Sequence, residues 1–418
     1  MQPIGLKAGY RTPFVKMDGP FRSLNTVGLS QILIDEILSK LDFNSDYIQH
    51  VIWGMVVPDP DIYSIAREAV LASNLKKTVE AYSVNRACAT SLQSATNGAL
   101  YYQAFPEEKS VTLVGGVESF SSVRPVLRPP AARYFKDLAK KGSLIQKLGR
   151  ALQIPVSKLL PVAPSAKEYS TGLTMGQHCE LMVKEFKIER KRQDEFALRS
   201  HQNAVKARAW VASQIISVNG FERDQHIRDN TSMEQLSGLR PAFDRSEQGT
   251  ITAGNASPFT DGAAGLFVIS PALEQELKPD AKLIDFEYVG IIIEGGLLMG
   301  PAKAMLTLMK RNQLTWKDLD YIEMHEAFAG QVLSNVDAMN NPKYVREQYG
   351  MVYDAGHLDE TILNPWGSSI AYGHPFGATG ARMLSQAIAY LKRNNKRRAL
   401  VSACTAGGLA GACLLSYS

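Results

Sequence analysis

Short continuous apolar runs alternate along the chain with segments whose apolar residues recur three and four positions apart. Residues 46–57 open with a short helix start and continue as HVIWGMVV, a buried-strand pattern. The runs TLVGG at 112–116 and ALVSA at 399–403 have the same character and end in small residues. Residues 29–41 and 302–311 carry apolar side chains at helical spacing and read as amphipathic helices. Strands alternating with helices predict an α/β fold. At 418 residues the chain exceeds what one hydrophobic core usually supports, so two or three subdomains are expected.

The pattern partly repeats. Cys88 opens a small-residue helix, CATSLQSATNGALYYQ, followed by a charged turn and the strand VTLVGG. Near the C-terminus FGATGARMLSQAIAYLKR is followed by the basic turn NNKRR and the strand ALVSAC. Helix, polar turn and strand recur in the same order, as expected for two halves of one architecture packed face to face.

Residues 120–168 break the pattern. They hold six prolines and ten basic residues against Asp137 and Glu168 alone, a surplus of eight that exceeds the formal charge of +5 of the whole chain. The segment YFKDLAKKGSLIQKLGRALQI alternates apolar and basic residues near helical spacing, interrupted by Gly142. It reads as an inserted cap with one or two basic amphipathic helices. An ordinary solvated helix, docking on an anionic membrane surface and attraction of a polyanionic substrate are all consistent with it.

Composition narrows the class. Apolar residues make up 45% and charged residues 21%, as in soluble globular proteins. No run approaches the ~18 apolar residues that cross a bilayer. The opening MQPIGLKAGYRTPF lacks an apolar signal core and an arginine-rich amphipathic stretch, so neither secretion nor an uncleaved organelle presequence is expected, and a cytoplasmic location is. The net charge is too small to imply nucleic-acid binding. Cys88, Cys179, Cys404 and Cys413 form no CxxC pair and no zinc-like spacing with histidine, so reduced thiols are expected. Cys179 and Cys413 read as small buried hydrophobes.

The other two cysteines stand in chemical contexts. Cys88, in SVNRACATSLQ, follows an apolar strand and opens a helix, where unpaired backbone N–H groups and the positive dipole end favour thiolate. His374, in AYGHPFGATGARM, sits in a turn shaped by Pro375 and Gly377, placed to be neutral and to act as a base. That segment lacks the GK[ST] ending and the GxGxxG spacing of phosphate loops. Cys404 ends a strand and begins CTAGGLAGA, whose small residues expose backbone N–H groups suited to an oxyanion hole. His325, in YIEMHEAFAGQ, follows a short strand, with Glu326 beside it. Each residue alone is compatible with a structural role.

Together they are more specific. VNRACATS at 84–91, TAGNASPFTDGAA at 252–264, HEAFAGQ at 325–331, GHPFGATGAR at 373–382 and CTAGG at 404–408 resemble the motifs of the thiolase family, in that order and over essentially the full length. The resemblance implies an α/β thiolase fold, two similar βαβαβαββ halves stacked as a five-layer α-β-α-β-α sandwich with an inserted loop domain. It divides the chain into a first half at 1–119 plus 250–270, a loop domain at 120–249 and a second half at 271–418. It implies an acyltransferase, a 3-ketoacyl-CoA thiolase acting in fatty-acid β-oxidation. Cys88 would be the nucleophile, His374 its base, Cys404 the second acid/base and His325 a partner in polarising the thioester. The Cys88 and Ala406 backbone N–H groups would form an oxyanion hole, and Ser257 would contact the pantetheine arm.

This chain departs from the family in three places. Most members carry Asn-Glu-Ala-Phe where it has His325-Glu326-Ala327-Phe328, Cys-x-Gly-Gly-Gly where it has Cys404-Thr405-Ala406-Gly407-Gly408, and Ser-Gly where it has Thr90-Ser91. These resemble the thiolase subunit of bacterial trifunctional β-oxidation complexes of the anaerobic type. That likeness implies acyl-CoA and CoA as ligands, a homodimer core and a heterotetramer with a hydratase/3-hydroxyacyl-CoA dehydrogenase subunit. It also implies peripheral contact with the inner face of the membrane through 120–168. No metal or bound organic cofactor is implied, CoA being a substrate. An acetoacetyl-CoA thiolase, a ketoacyl synthase and a non-catalytic scaffold or lipid-binding subunit remain as alternatives. Cys404 weighs against the synthase, and the full set of four side chains weighs against the scaffold.

Overall fold

The computed structural model describes every residue except 1, 141–142, 144, 147–148, 150–158, 295 and 418. The first strands are β1 (Ile4–Lys7), β2 (Val15–Lys16), β3 (Ile48–Gly54), β4 (Glu80–Val84), β5 (Val111–Glu118) and β6 (Thr260–Ile269). The later ones are β7 (Ala281–Gly290), β8 (Tyr321–Met324), β9 (Arg398–Thr405) and β10 (Leu409–Ser416). Hydrogen bonding runs β4-β3-β5-β6-β1-β7-β10-β9-β8, with β2 paired to β6.

Two halves are visible in that order. In the first, β3 pairs in parallel with both β4 and β5, and β6 lies antiparallel between β5 and β1. In the second, β8 is parallel to β9, and β10 lies antiparallel between β9 and β7. The remaining strand of the second half is reduced to one parallel bridge between Ile322 and Leu363. The halves join where β1 meets β7, with Ile4 opposite Leu283 and Leu6 opposite Ala281.

Both faces of the central strands are covered, which is why they are continuously apolar instead of alternating. β5 and β6 are buried at every position. Helices α1 (Thr26–Ser39) and α2 (Ile65–Ala72) cover the outer face of the first half, where Leu29, Leu33 and Ile37 join Val51, Leu113 and Phe267 in one core. The α1 start is set by Asn25, whose side chain accepts from the Gly28 N–H. Helix α3 (Thr90–Ala104) belongs to the middle layer.

The middle layer is completed much later in the chain. After α4 (Pro129–Ala139), α5 (Met175–Glu185) and α6 (Arg190–Val211) come α7 (Gly300–Arg311) and α8 (Ala329–Met339), which cover the outer face of the second half. Helix α9 (Phe376–Asn394) then packs on α3 and on strands of both halves. Leu92, Ala95, Ala381 and Leu384 meet Val114, Val401 and Leu415 in the shared core. The layers read helix, sheet, helix, sheet, helix. Close approach of α3 and α9 depends on Gly380, where a Cβ would lie 2.6 Å from the Leu92 backbone nitrogen.

Residues 1–122 and 168–418 form one compact unit, and Val123–Lys167 a second. In the larger unit, α5 and α6 pack on α8. In the smaller one, α4 buries Ala131 and Tyr134, and Val126 bridges Val162. Much of the expected basic amphipathic helix, including Gly142, lies outside the described residues. Among the described residues no helix is long and apolar enough to cross a membrane.

Candidate active site

The side chains singled out from the sequence gather at the carboxyl ends of β4, β8 and β9, where open α/β sheets commonly place their sites. After β4 the chain turns sharply. Ala87 adopts φ +43°, an uncommon conformation for a residue with a Cβ. Thr90 holds the turn: its Oγ1 accepts from the Arg86 N–H at 2.8 Å and donates to the Ala87 carbonyl at 2.7 Å. Cys88 thus sits just before the start of α3, and the backbone N–H groups of Cys88 and Ala406 act on its thiol to favour the thiolate.

Burial nevertheless pushes the Cys88 thiol up to about 12, and the nearby Glu118 carboxyl adds to the shift. This direction is opposite to the one expected from the helix terminus. Desolvation outweighs the two N–H groups, because stripping water from a thiolate costs more than two dipoles return here. The nucleophile needs a base.

His374 is positioned for that task. Its N–H donates to the Pro258 carbonyl at 2.9 Å, and Gly373 before it takes φ +99°, with a Cβ there only 2.3 Å from Thr260 Cγ2. The His374 Nδ1 lies 2.7 Å from Thr379 Oγ1, and that hydroxyl donates to the Pro375 carbonyl at 3.3 Å. With that carbonyl as an acceptor for its proton, Thr379 can accept from Nδ1–H, the tautomer that leaves the lone pair on Nε2. The Nε2 atom is buried without a protein partner. Burial, then the His325 ring and Arg382, hold the His374 pKa well below its ordinary value, so the ring is neutral at neutral pH.

His325 follows β8, with its N–H donating to the Ser402 carbonyl at 2.8 Å. Its ring centroid is 4.1 Å from that of His374, at 45°. Nδ1 lies 2.8 Å from Ser369 Oγ, and Nε2 is buried without a protein partner. Burial and Arg382 lower its pKa to about 3. Among the described residues, Cys88, His325 and His374 each bring one ligand-type atom within 4.8 Å of the others. That spacing suits a soft cation as well as proton transfer; the neutral imidazole beside a protonated thiol is already a base and nucleophile pair.

Cys404 lies near the end of β9, buried, with its thiol raised well above the ordinary value by burial and then by Cys88. The chain continues into a hairpin in which Gly407 and Gly408 take positive φ. Cys179, a buried thiol in α5, is raised well above its ordinary value by burial, with Glu180 and then Cys404 adding to the shift. Ser257 gives both its N–H and its hydroxyl to the Ala327 carbonyl, at 2.9 and 3.1 Å. Those bonds tie the 252–264 segment to the HEAF turn.

Comparison with known families follows the same outline. The family model described as thiolase, N-terminal domain matches residues 6–272, and the one described as thiolase, C-terminal domain matches residues 277–417. The chain belongs to the thiolase family. The 3-ketoacyl-CoA thiolase of Colwellia psychrerythraea is 39% identical over 425 residues, covering 99% of this chain and 96% of the relative. The protein of that name in Escherichia coli is 38% identical with the same coverage. Among solved structures, the acetyl-CoA acetyltransferase of Bacillus anthracis aligns with a TM-score of 0.83 at 27% identity, over 100% of this chain and 99% of that one. The human mitochondrial 3-ketoacyl-CoA thiolase in complex with CoA aligns with a TM-score of 0.81 at 27% identity, over 100% and 98%.

Several residues of this thiolase site escaped the sequence reading. Glu118 ends β5, fully buried, and accepts from the N–H groups of Val56, Val57 and Gly377 at 3.1 to 3.2 Å. It pins the turn after β3 to the first turn of α9, and burial lifts its carboxyl to about 7. A lone acid closing an otherwise apolar strand run was the available signal. Ser369 and Arg382 had none, because the side chains they meet, His325 and Glu323, are distant in sequence, whereas Thr379 lies five residues from His374 in the same motif.

Proposed function

We propose that this thiolase-family protein is a 3-ketoacyl-CoA thiolase, cleaving 3-ketoacyl-CoA with CoA to give acetyl-CoA and an acyl-CoA two carbons shorter. The observation that carries the residue roles is a buried His374 ring with an unpartnered Nε2 and a nitrogen within 4.8 Å of the Cys88 sulfur, whose thiol is raised to about 12. Nε2 takes the Cys88 proton, and the sulfur attacks C3 of the substrate. The C2–C3 bond breaks, its electron pair passes to the acetyl-CoA enolate, and the Cys404 thiol protonates C2. The shortened acyl group stays on Cys88 as a thioester. The Cys404 thiolate then takes the proton of incoming CoA, whose sulfur displaces Cys88, and His374 returns the first proton.

Charge develops twice on oxygen. At C3 it falls to the Cys88 and Ala406 backbone N–H groups, both of which favour negative charge at the Cys88 sulfur. Losing one such donor typically costs about a hundred- to a thousand-fold in rate. At the enolate it falls to the Nε2 sides of His374, newly protonated, and His325. Because the N–H at 406 belongs to the main chain, Ala406 serves where glycine is usual. Ser257 is placed by this reading along the pantetheine path. Residues 1–119 with 250–270 and 271–418 are read as the two catalytic halves, with 120–249 as the loop domain. A homodimer core, a hydratase/dehydrogenase partner and a cytoplasmic, membrane-peripheral location belong to the same reading by family analogy.

The test follows acetyl-CoA release from C4 and C16 3-ketoacyl-CoA in the presence of CoA, with wild type and Cys88→Ala. Cleavage of C16 that disappears in the variant is the expected result. Activity on C4 alone would move the assignment to acetoacetyl-CoA chemistry, and activity surviving in the variant would remove Cys88 from its role.

A further inference from the structure

The two histidines differ in what their Nδ1 atoms meet. Thr379 has another acceptor for its proton and so can receive one from His374. Ser369, beside His325, is in the opposite situation. Its Oγ accepts from Arg382 Nη2 at 3.0 Å, and an arginine only donates. His325 Nδ1, at 2.8 Å, is the acceptor within reach of the Ser369 hydroxyl proton. The Nδ1–H tautomer would leave that proton without a partner in a fully buried setting.

Arg382 is itself held in place. It pairs with Glu323, both side chains being fully buried, and Nη2 also donates to Ser368 Oγ at 3.1 Å. Glu323 accepts in addition from Ser368 Oγ at 2.7 Å and from Gln386 Nε2 at 3.1 Å. With Ser368, Gln386 and Tyr321 also donating to it, Glu323 is held in place and in turn holds the guanidinium toward Ser369. Arg382 lies on α9, the helix that His374 immediately precedes, so one rigid element serves both rings.

We propose that Ser369, oriented by the Arg382–Glu323 pair, is a positioning residue that fixes His325 as the Nε2–H tautomer, opposite to that of His374. One ring then presents a lone pair to the Cys88 thiol while its neighbour presents a proton to the thioester oxygen, without either ring being charged. This assigns the departure from the family's usual asparagine a working partner: His325 requires a second residue to set its tautomer, which an amide does not. The inference rests on the thiolase reading for its catalytic consequence, whereas the tautomer itself is independent of it.

The test uses the full chain labelled with 15N-histidine, with His325→Asn to identify the His325 signals. Wild type should show His325 protonated at Nε2 and accepting at Nδ1, and Ser369→Ala should give mixed tautomers. Thiolysis kcat should fall about ten- to a hundred-fold in Ser369→Ala with KM little changed, less than complete loss of an oxyanion donor. Ser369→Thr, which keeps the hydroxyl, should restore both. Alkylation of Cys88 by iodoacetamide, which reports on His374 and the turn, should stay within about two-fold in all of them. A wild-type His325 protonated at Nδ1, or a Ser369→Ala kcat within about two-fold of wild type, would overturn the proposal. Absence of thiolysis in wild type would strike the functional reading instead, leaving the tautomer signals to decide the relay.

Discussion

Gly380→Ala tests whether helix packing sets the catalytic geometry. A Cβ at 380 would lie 2.6 Å from the Leu92 backbone nitrogen, 2.8 Å from Leu92 Cγ and 3.0 Å from Ser91 Oγ. The nearest of these atoms is main chain and cannot rotate aside. Ordinary contact begins near 3.4 Å, so α3 and α9 must separate by about 0.8 Å at this crossing. Alanine gains about 1 kcal/mol in helix propensity over glycine. Overpacking costs about 1–3 kcal/mol, so the net loss of stability is about 0–2 kcal/mol. Catalysis has no such compensation. Cys88 leads into α3 and His374 into α9, so a relative shift of the helices separates sulfur from Nε2. Misplacement of about 1 Å can cost about a hundred-fold, which predicts a ten- to hundred-fold fall in kcat with slower alkylation of Cys88. Thiolysis kinetics, alkylation rates and a thermal melt together read this. A kcat within about two-fold of wild type would refute the link between the crossing and the site.

Asp224→Ala should destabilise the fold by about 3–5 kcal/mol in chemical denaturation, because it strands a buried guanidinium. Arg11 donates to Asp224 at 2.6 and 2.7 Å with both side chains almost fully buried, and the Phe14 N–H uses the same carboxylate. Glu118 governs a pH effect. Its native carboxyl is raised from 4.5 to about 7, so its contribution to stability is fully present below about 4.5 and is lost as pH rises to about 7. The stability difference between wild type and Glu118→Gln should therefore fall across that window and level off above it. A difference that is flat between pH 5 and 7, in melts recorded at fixed ionic strength, would contradict the assignment.

Much of the fold was legible because strands buried on both faces leave continuous apolar runs. The repeated helix and strand correspond to α3 with β5 and α9 with β9, the same helix–strand pair in each half. Boundaries were less legible where side chains intervene. The HVIWGMVV run continues to Val57, yet β3 ends at Gly54, because the Val56 and Val57 N–H groups go to the Glu118 carboxylate instead of to a neighbouring strand. The helix expected at 302–311 starts at Gly300 with Pro301 in its first turn, a position where the missing N–H costs nothing. Chemistry followed the same division. The residue types at 88, 325, 374 and 404 could be read from local motifs. The Cys88 thiol could not: its environment depends on Ala406 and Glu118, which approach it only in the folded chain. The hydroxyl beside His325 was equally invisible, since Ser369 lies 44 residues from that ring.

The most direct measurement is mass spectrometry of the protein after brief exposure to C16 3-ketoacyl-CoA with no free CoA added. The account predicts a C14 acyl thioester confined to the peptide containing Cys88, with one acetyl-CoA released per acylated site and the label discharged when CoA is supplied. An acyl group found on Cys404, or turnover with no acylated Cys88 at any time, would contradict it.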